Sequence, residues 1–519
     1  MQQLRSGIFY PFGLAVFPAL SLAVGNRGEN IRPSDLVIPT AIRLWVALVV
    51  WLATRLVSTD RHRRGLITLG FVTWFSNYGL FTSALMALGP LSTFAPDQYA
   101  LPLSLVLLLL VSWLVLKLKD DLSRTTRFLN TVALLLLLFL PVTYLSASRA
   151  PASTWDPRVP DPSRTTDQLP DIYYIVLDAY TGSKSLADIY SFDNSGFEAE
   201  LRARGFYVPQ DSRSNYVTTF LALAAALNWQ YLDWVPELLG VGSKDRSLPY
   251  RMIEDSRTTR FLQSLGYRVV FFPTAYGATA QNRFADQIIP GGGAGQPEVH
   301  TEFQSVWLTT TALRPALQLG CLIAGCPSNP FPFRPEPPEL ILWKFAQLAE
   351  LPKSAPGPKF VLAHLLVPHE PYVFKGDCST KPLYWPAEIQ RSDDQRMRVS
   401  YVEQIRCVNR QVLDLVERLL RDSARPPVVL LQADHGNGRF PYGRPPPLES
   451  ITAEQLRDRT HVFAAYHLPG VRAQLYDSIS PVNVIPIVLR AYFGAPVPRL
   501  EDKAYYSSWQ RPYDFTQIR

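Results

Sequence analysis

The chain has 519 residues and a net charge of +7, with 51 Lys and Arg against 44 Asp and Glu. Its length predicts more than one domain. The mean hydropathy of +0.01 averages an apolar part, up to about residue 147, and a remainder of ordinary globular composition. The basic excess does not indicate nucleic-acid binding, because no Lys/Arg run alternates with aromatic residues in a groove-like pattern.

Five apolar stretches are long enough, or nearly so, to cross a hydrocarbon core that needs about 20 residues. They are Phe9–Gly25, Leu36–Val57, Leu66–Leu88, Tyr99–Leu116 and Phe128–Leu145. The first is short and contains Pro11 and Pro18, so a signal peptide is the alternative for it. The sequence therefore predicts an all-α transmembrane bundle of five helices over residues 1–147.

Basic residues in the loops predict the orientation of this bundle. They cluster between the second and third spans and between the fourth and fifth, whereas the loop Gly89–Gln98 has none. The positive-inside rule then places the N-terminus in the cytoplasm and everything after the fifth span outside the cytoplasmic membrane. Residues 148–170 are rich in Pro, Ser, Thr and Asp and predict an extended linker.

The rest of the chain, residues 171–519, alternates between apolar strands and helical stretches. Strands are expected at 171–177, 267–272, 359–365 and 427–432, with a long helix at 392–423 between the last two. Such alternation predicts an external α/β domain built on a mainly parallel sheet that is flanked by helices.

Two of these strands end in carboxylates. Asp178 closes the first, and Asp434 closes the last, followed by His435 and Gly436. In an open α/β sheet, ligands bind at the carboxyl ends of the strands. Aspartate and histidine side chains that converge there can hold a divalent metal.

Paired threonines precede an apolar helix that begins near Leu221. Capping alone would explain a threonine there. The functional alternative is a nucleophilic hydroxyl at the helix N-terminus, where the helix dipole favours a phosphate. Thr219 is preferred over Thr218 because of its spacing to the helix. A threonine oxygen, Asp178, Asp434 and His435 would together supply what in-line phosphoryl transfer needs.

Three further histidines are candidates for an acid site, a second metal or substrate binding. His364 lies in the third strand, His369 ends that strand five residues later between two prolines, and His461 opens a predicted fifth strand. A histidine within a buried strand is more often a core residue, whereas a second one at the strand end favours a functional role.

Four cysteines all lie in the predicted external part, where disulfides form. Proximity favours the pairs Cys321–Cys326 and Cys378–Cys407, although three connectivities are open.

The region from about 170 to 515 resembles the sulfatase-like branch of the alkaline phosphatase superfamily. The whole arrangement is similar to lipoteichoic acid synthases and lipid A phosphoethanolamine transferases. The resemblance implies an alkaline-phosphatase-like fold and a role for each candidate residue. By this resemblance, Asp178 is the first acidic ligand, Thr219 is the nucleophile, and Asp434 with His435 is the late metal-binding pair. His364, His369 and His461 match histidines of the family.

The chain departs from sulfatases at two positions. Thr219 stands where sulfatases have the Cys or Ser of a C/S-x-P-x-R motif, and Asp178 is followed by alanine instead of a second aspartate. The resemblance therefore implies a zinc or manganese transferase, and it disfavours sulfate ester hydrolysis.

The sequence predicts a membrane-anchored, metal-dependent phosphotransferase or phosphodiesterase with a phospholipid or lipid-linked substrate. A hydrolase of soluble phosphate or sulfate esters is the nearest alternative, and a non-catalytic envelope scaffold is the second. Donor, acceptor, metal and oligomeric state stay open.

Overall fold

A computed structural model describes residues 7–26, 31, 33–87, 96–146, 155–161, 169–291, 302–316, 336–355, 357–381, 394–440, 443–471 and 474–519. The chain divides into two compact units that are interleaved in sequence. The first contains Met1–Arg149 and His300–Pro335, and the second contains Ala150–Val299 and Glu336–Arg519.

The helices of the described residues begin with α1 (Tyr10–Gly25), α2 (Pro33–Ala53), α3 (Arg61–Ala87), α4 (Pro96–Lys117) and α5 (Ser123–Ser146). They continue with α6 (Ser183–Tyr190), α7 (Ser195–Ala203), α8 (Thr219–Asn228), α9 (Val235–Leu239), α10 (Ser247–Glu254) and α11 (Arg257–Ser264). The last five are α12 (Glu302–Thr310), α13 (Pro338–Ser354), α14 (Asp394–Asp422), α15 (Ala453–Thr460) and α16 (Pro481–Phe493).

Three helices of the first unit are long and apolar enough to cross a membrane, over Asp35–Leu56, Tyr99–Lys117 and Ser123–Leu145. The other two predicted spans are also helical. However, α1 has only 16 residues, and α3 begins with a basic cluster and carries polar residues along its length. Apolar helices near the N-terminus are thus confirmed, while five membrane spans stay a prediction.

The first unit also contains a returning segment, residues 302–316, which includes α12. The Ala312 N–H donates to the Phe75 carbonyl oxygen at 2.9 Å. Arg314 forms a buried ion pair with Asp97, its Nε lying 3.0 Å from Oδ2. A stretch expected to be part of the external domain therefore packs on the N-terminal helices.

The sheet of the second unit has six strands in the order β3-β2-β4-β1-β5-β6. The strands are β1 (Ile172–Leu177), β2 (Arg268–Phe272), β3 (Gln287–Ile288), β4 (Lys359–Leu365), β5 (Val428–Gln432) and β6 (Ala464–His467). β6 alone among them pairs antiparallel. The predicted mainly parallel sheet is confirmed. A small antiparallel pair, β7 (Tyr505–Tyr506) and β8 (Thr516–Gln517), lies apart.

Both faces of this sheet are buried, which explains why its central strands are apolar runs instead of alternating patterns. Alternate residues of β1 belong to two separate cores. One core includes α8 and α16, and the other includes α13 and α14. The sheet is therefore held between two helical layers, and its carboxyl edge has a fixed geometry.

Cys378 and Cys407 form the predicted disulfide, with Cα atoms 4.9 Å apart. It ties the segment after β4 to α14. The other predicted pair, Cys321 and Cys326, lies outside the described residues.

Candidate metal centre

The candidate site lies at the carboxyl edge of the sheet, where β4, β1 and β5 are neighbours. Asp178 directly follows β1, Asp434 lies two residues beyond β5, and His364 sits on β4 opposite Val176. Asp178, Asp434 and His435 are buried, and each offers one ligand atom within 4.8 Å of the others. The parallel strand order thus brings together residues more than 250 positions apart.

The backbone after β1 turns sharply to build this cluster. Ala179 adopts a left-handed conformation with a φ of 61°, which costs a non-glycine residue roughly 1–2 kcal/mol. In this conformation its N–H donates to Asp434 Oδ1 at 3.2 Å. The N–H of His435 donates to the same oxygen at 2.9 Å. Asp434 is therefore oriented by two backbone amides.

The other oxygens of the two carboxylates lack partners. Asp434 Oδ2 and Asp178 Oδ1 are buried, and neither accepts a hydrogen bond within the described part of the chain. An orphaned buried oxygen is costly unless a proton or a cation satisfies it. With a histidine nitrogen beside them, these atoms form a donor set that suits a divalent transition metal such as zinc or manganese.

His435 presents Nε2 to this site as an acceptor. Its Nδ1 lies 3.0 Å from the Gly436 carbonyl oxygen, which assigns the ring proton to Nδ1. Burial and the charge of Arg459 lower the pKa of His435 well below its ordinary value. The ring is therefore neutral at physiological pH, as a metal ligand must be.

Thr219 is the first residue of α8, and its Oγ1 lies 3.0 Å from His435 Nε2. Thr218 is the N-cap residue, with an extended backbone, and its buried hydroxyl has no hydrogen-bond partner among the described residues. The threonine next to the cluster is accordingly Thr219. The positive end of the α8 dipole faces the same place, which favours an anion there.

The charges of the two carboxylates interact strongly. Burial raises the pKa of Asp178, but the charge of His369 and the hydrogen bond and charge of His364 outweigh this effect and hold it well below its ordinary value. Burial and the charge of Asp178 raise the pKa of Asp434 to about 6. The two buried acids therefore share the site with unequal proton affinity, as expected for neighbouring carboxylates.

His364 is fully buried and lies beside Asp178, with its Nε2 3.5 Å from Oδ2. Thr279 Oγ1 lies 2.9 Å from the other ring nitrogen, Nδ1. If the Thr279 hydroxyl donates to Nδ1, the ring proton resides on Nε2 and faces the carboxylate. The His364 ring is therefore placed beside the Asp178 carboxylate and held from its other side by Thr279.

His369 is half-buried and lies near His435. Its Nδ1 is 2.6 Å from the Glu370 carbonyl oxygen, and its ring centroid is 6.3 Å from that of His435. Burial lowers its pKa, but the charges of Asp178 and Glu370 outweigh this effect and raise it above the ordinary value. Gly443 approaches so closely that a Cβ there would lie 2.4 Å from His369 Nε2.

The structure places the His461 side chain away from this cluster. Its Nε2 lies 3.7 Å from Asp211 Oδ1, and its backbone pairs with Arg213. Burial and the charge of Arg213 lower its pKa to about 4.

Arg459 is a buried cation at the site that sequence analysis did not identify. Its Nη2 lies 3.2 Å from His435 Nε2. Its other hydrogen bonds go to the carbonyl oxygens of Val217, Gly436, Asn437 and Gly443. Asp458 and Arg459 precede His461 on α15, and no local pattern distinguishes this arginine from a surface residue of a helix.

No family model matches the chain, and no curated protein matches it. Among solved structures, it is similar to the C-terminal periplasmic domain of EcEptC from Escherichia coli, with 12% identity and a TM-score of 0.42 over 69% of this chain and 94% of that one. The corresponding domain of phosphoethanolamine transferase EptC from Campylobacter jejuni shows 11% identity and a TM-score of 0.39 over 64% and 91%.

BT1596, a 2-O GAG sulfatase, shows 13% identity and a TM-score of 0.41 over 66% of this chain and 78% of that one. Phosphoethanolamine transferase domains and sulfatases are thus among the solved structures to which this chain is similar.

Proposed function

We propose that this chain is a membrane-anchored, metal-dependent phosphotransferase or phosphodiesterase whose nucleophile is Thr219. The observation that carries the proposal is the position of the Thr219 hydroxyl, 3.0 Å from His435 Nε2 and at the N-terminus of α8. A nucleophile, a set of metal-binding side chains and a favourable helix dipole meet there.

Asp178, Asp434, His435 and Thr219 would hold a divalent ion. When bound, that ion would lower the pKa of the threonine hydroxyl and offset the charge of the phosphoryl oxygens. The buried carboxylate oxygens that lack partners support this assignment. A sulfatase chemistry would need an oxidisable Cys or Ser at the nucleophile position, where this chain has threonine.

The proposed reaction has two displacements. Thr219 Oγ, having released its proton to solvent, forms a bond to phosphorus as the bond to the leaving alcohol breaks. His369, whose pKa is raised, gives its proton to the leaving oxygen. An acceptor hydroxyl or water then attacks the phosphothreonine, His369 takes the acceptor's proton, and Thr219 is released.

The apolar helices of the same chain support a lipid-linked substrate. A phosphodiester headgroup exposed on the external face of the cytoplasmic membrane would be the donor, with the N-terminus in the cytoplasm. This topology follows from the basic loops of the sequence.

Turnover of bis-p-nitrophenyl phosphate and p-nitrophenyl sulfate by the full-length protein in detergent, with zinc or manganese, tests the proposal. Phosphodiester turnover is expected to fall by at least ~100-fold in Thr219→Ala. The matched control is Thr218→Ala, which removes the neighbouring hydroxyl and should keep most of the activity. Turnover of the sulfate alone, or full activity of Thr219→Ala, would contradict the proposal.

A further inference from the structure

Arg43, Arg64 and Arg314 are buried in the first unit, and their surroundings differ. Arg64 donates from Nη2 to the Trp51 carbonyl oxygen at 2.7 Å. Arg314 is matched by Asp97, which also accepts a hydrogen bond from the Tyr78 hydroxyl at 2.9 Å. Arg43, on α2, is 3% exposed and has no acidic partner within the described residues. Its Nε donates to Ser76 Oγ at 3.3 Å, and Nη1 is buried without an acceptor.

A second buried donor lies next to Arg43. The guanidinium carbon of Arg43 is 5.7 Å from the ring centroid of Trp307, on α12. Trp307 is 5% exposed, and its Nε1 also lacks an acceptor in the part of the chain described. Two buried N–H donors without acceptors and a positive charge thus lie on neighbouring side chains, and no acidic group of the described residues pairs with that charge. Buried donors and charges of this kind require an acceptor, and an anion satisfies both.

The position of Arg43 along α2 indicates where that anion comes from. The apolar span begins at Asp35, and Arg43 lies eight residues later. Eight residues correspond to about 12 Å along a helix. This depth lies in the external half of a hydrocarbon core about 30 Å thick. Side chains on a helix lean toward its N-terminus, which is the predicted external end of α2. The adjacent Trp45 is 65% exposed, as a lipid-facing residue would be.

We infer that Arg43, Ser76 and Trp307 form a binding site for the phosphate of a phospholipid in the external leaflet. Guanidinium groups match phosphate oxygens with paired N–H donors. The inference rests on the proposed membrane anchoring and deepens it, because such a site would hold a donor lipid. An ionisable residue inside a membrane span is a candidate functional residue by default.

The test measures lipid binding by the delipidated full-length protein in a nonionic detergent. Thermal unfolding and native mass spectrometry follow titration with dioleoylphosphatidylglycerol, with dioleoylglycerol (the same acyl chains without phosphate) and with inorganic phosphate. Only the phospholipid is expected to stabilise the protein and to be retained. Arg43→Leu should weaken its binding by about 10-fold or more, and Arg43→Lys by less.

The direction in which Arg43→Leu changes the unfolding temperature distinguishes a role of Arg43 in lipid binding from a role in packing. Without lipid, Arg43→Leu should unfold at a temperature equal to or above that of the natural chain, because it removes an unmatched buried charge. With phospholipid, the natural chain should be the more stable. Arg61→Leu, which removes an exposed cation from the start of α3, is the control and should leave the phospholipid effect in place.

Equal stabilisation of the natural chain and Arg43→Leu by phospholipid would overturn the inference. So would equal responses to dioleoylglycerol, or to inorganic phosphate. Loss of stability in Arg43→Leu by the same amount with and without lipid would assign Arg43 a purely structural role. Because none of these readouts uses turnover, such a failure leaves the chemistry proposed for Thr219 untouched.

Discussion

The two carboxylates of the candidate metal centre predict an unusual dependence of stability on pH. The perturbation is Asp434→Asn, which keeps the shape of the side chain and removes its charge. In the metal-free protein, the pKa of Asp434 is raised from its ordinary 3.8 to about 6 by burial and by Asp178. This difference of about 2 units corresponds to about 3 kcal/mol, since one unit corresponds to roughly 1.4 kcal/mol.

A carboxyl whose pKa is higher in the folded than in the unfolded state favours folding while it is protonated. This contribution is present below about pH 4 and is lost as the pH rises through about 6. The metal-free natural protein should therefore lose about 3 kcal/mol relative to Asp434→Asn between about pH 4 and pH 7. Asp178, with its lowered pKa, acts in the opposite direction.

Thermal unfolding of both full-length proteins in EDTA, at several pH values, measures this difference. At about pH 4 the two should unfold at similar temperatures, and at about pH 7 the variant should be several degrees more stable. Saturating zinc should reverse the order at pH 7, because only the natural site then has a carboxylate at position 434. Identical pH dependence of the two metal-free proteins would refute the charge coupling between Asp178 and Asp434.

Two further substitutions test how the histidines are positioned. Thr279→Val removes the hydroxyl 2.9 Å from His364 Nδ1. Because His364 lies beside Asp178, the affinity for zinc, measured by calorimetry, should fall by about 10-fold. Thr279→Ser, which keeps the hydroxyl, should retain the affinity. An unchanged zinc affinity in Thr279→Val would contradict this role. Gly443→Ala places a methyl group 2.4 Å from His369 Nε2 at a backbone φ of 61° and should displace the histidine. Phosphodiester turnover should therefore fall by about 10-fold or more, while bound zinc is retained. Full turnover would show that His369 is not the proton donor.

Local sequence patterns predicted the elements that bear the candidate ligands. An apolar run that ends in a carboxylate can be recognised from a few consecutive residues. The parallel order of the strands then places Asp178 beside Asp434. The long helix expected at 392–423 is α14, Asp394–Asp422.

Features that depend on distant partners were not predictable in this way. Arg459 belongs to the site because carbonyl oxygens of two separate loops surround its guanidinium, and nothing in its own neighbourhood of the sequence encodes those loops. His461 lies in an apolar context typical of a strand start, yet β6 begins only at Ala464 and pairs antiparallel with β5. The sequence assigned residues 302–316 to the external domain, and no local pattern shows that they belong to the unit of the N-terminal helices.

The returning segment has a consequence for how the protein is synthesised and how it can be divided. Because α12 follows α5 only after a large part of the second unit, the N-terminal helices emerge from the ribosome long before Trp307 and Arg314 exist to pack on them. Asp97 is therefore synthesised long before Arg314, its ion-pair partner. For the same reason, expression of residues 151–519 alone would leave Phe303, Trp307 and Leu308 without the N-terminal helices on which their segment packs.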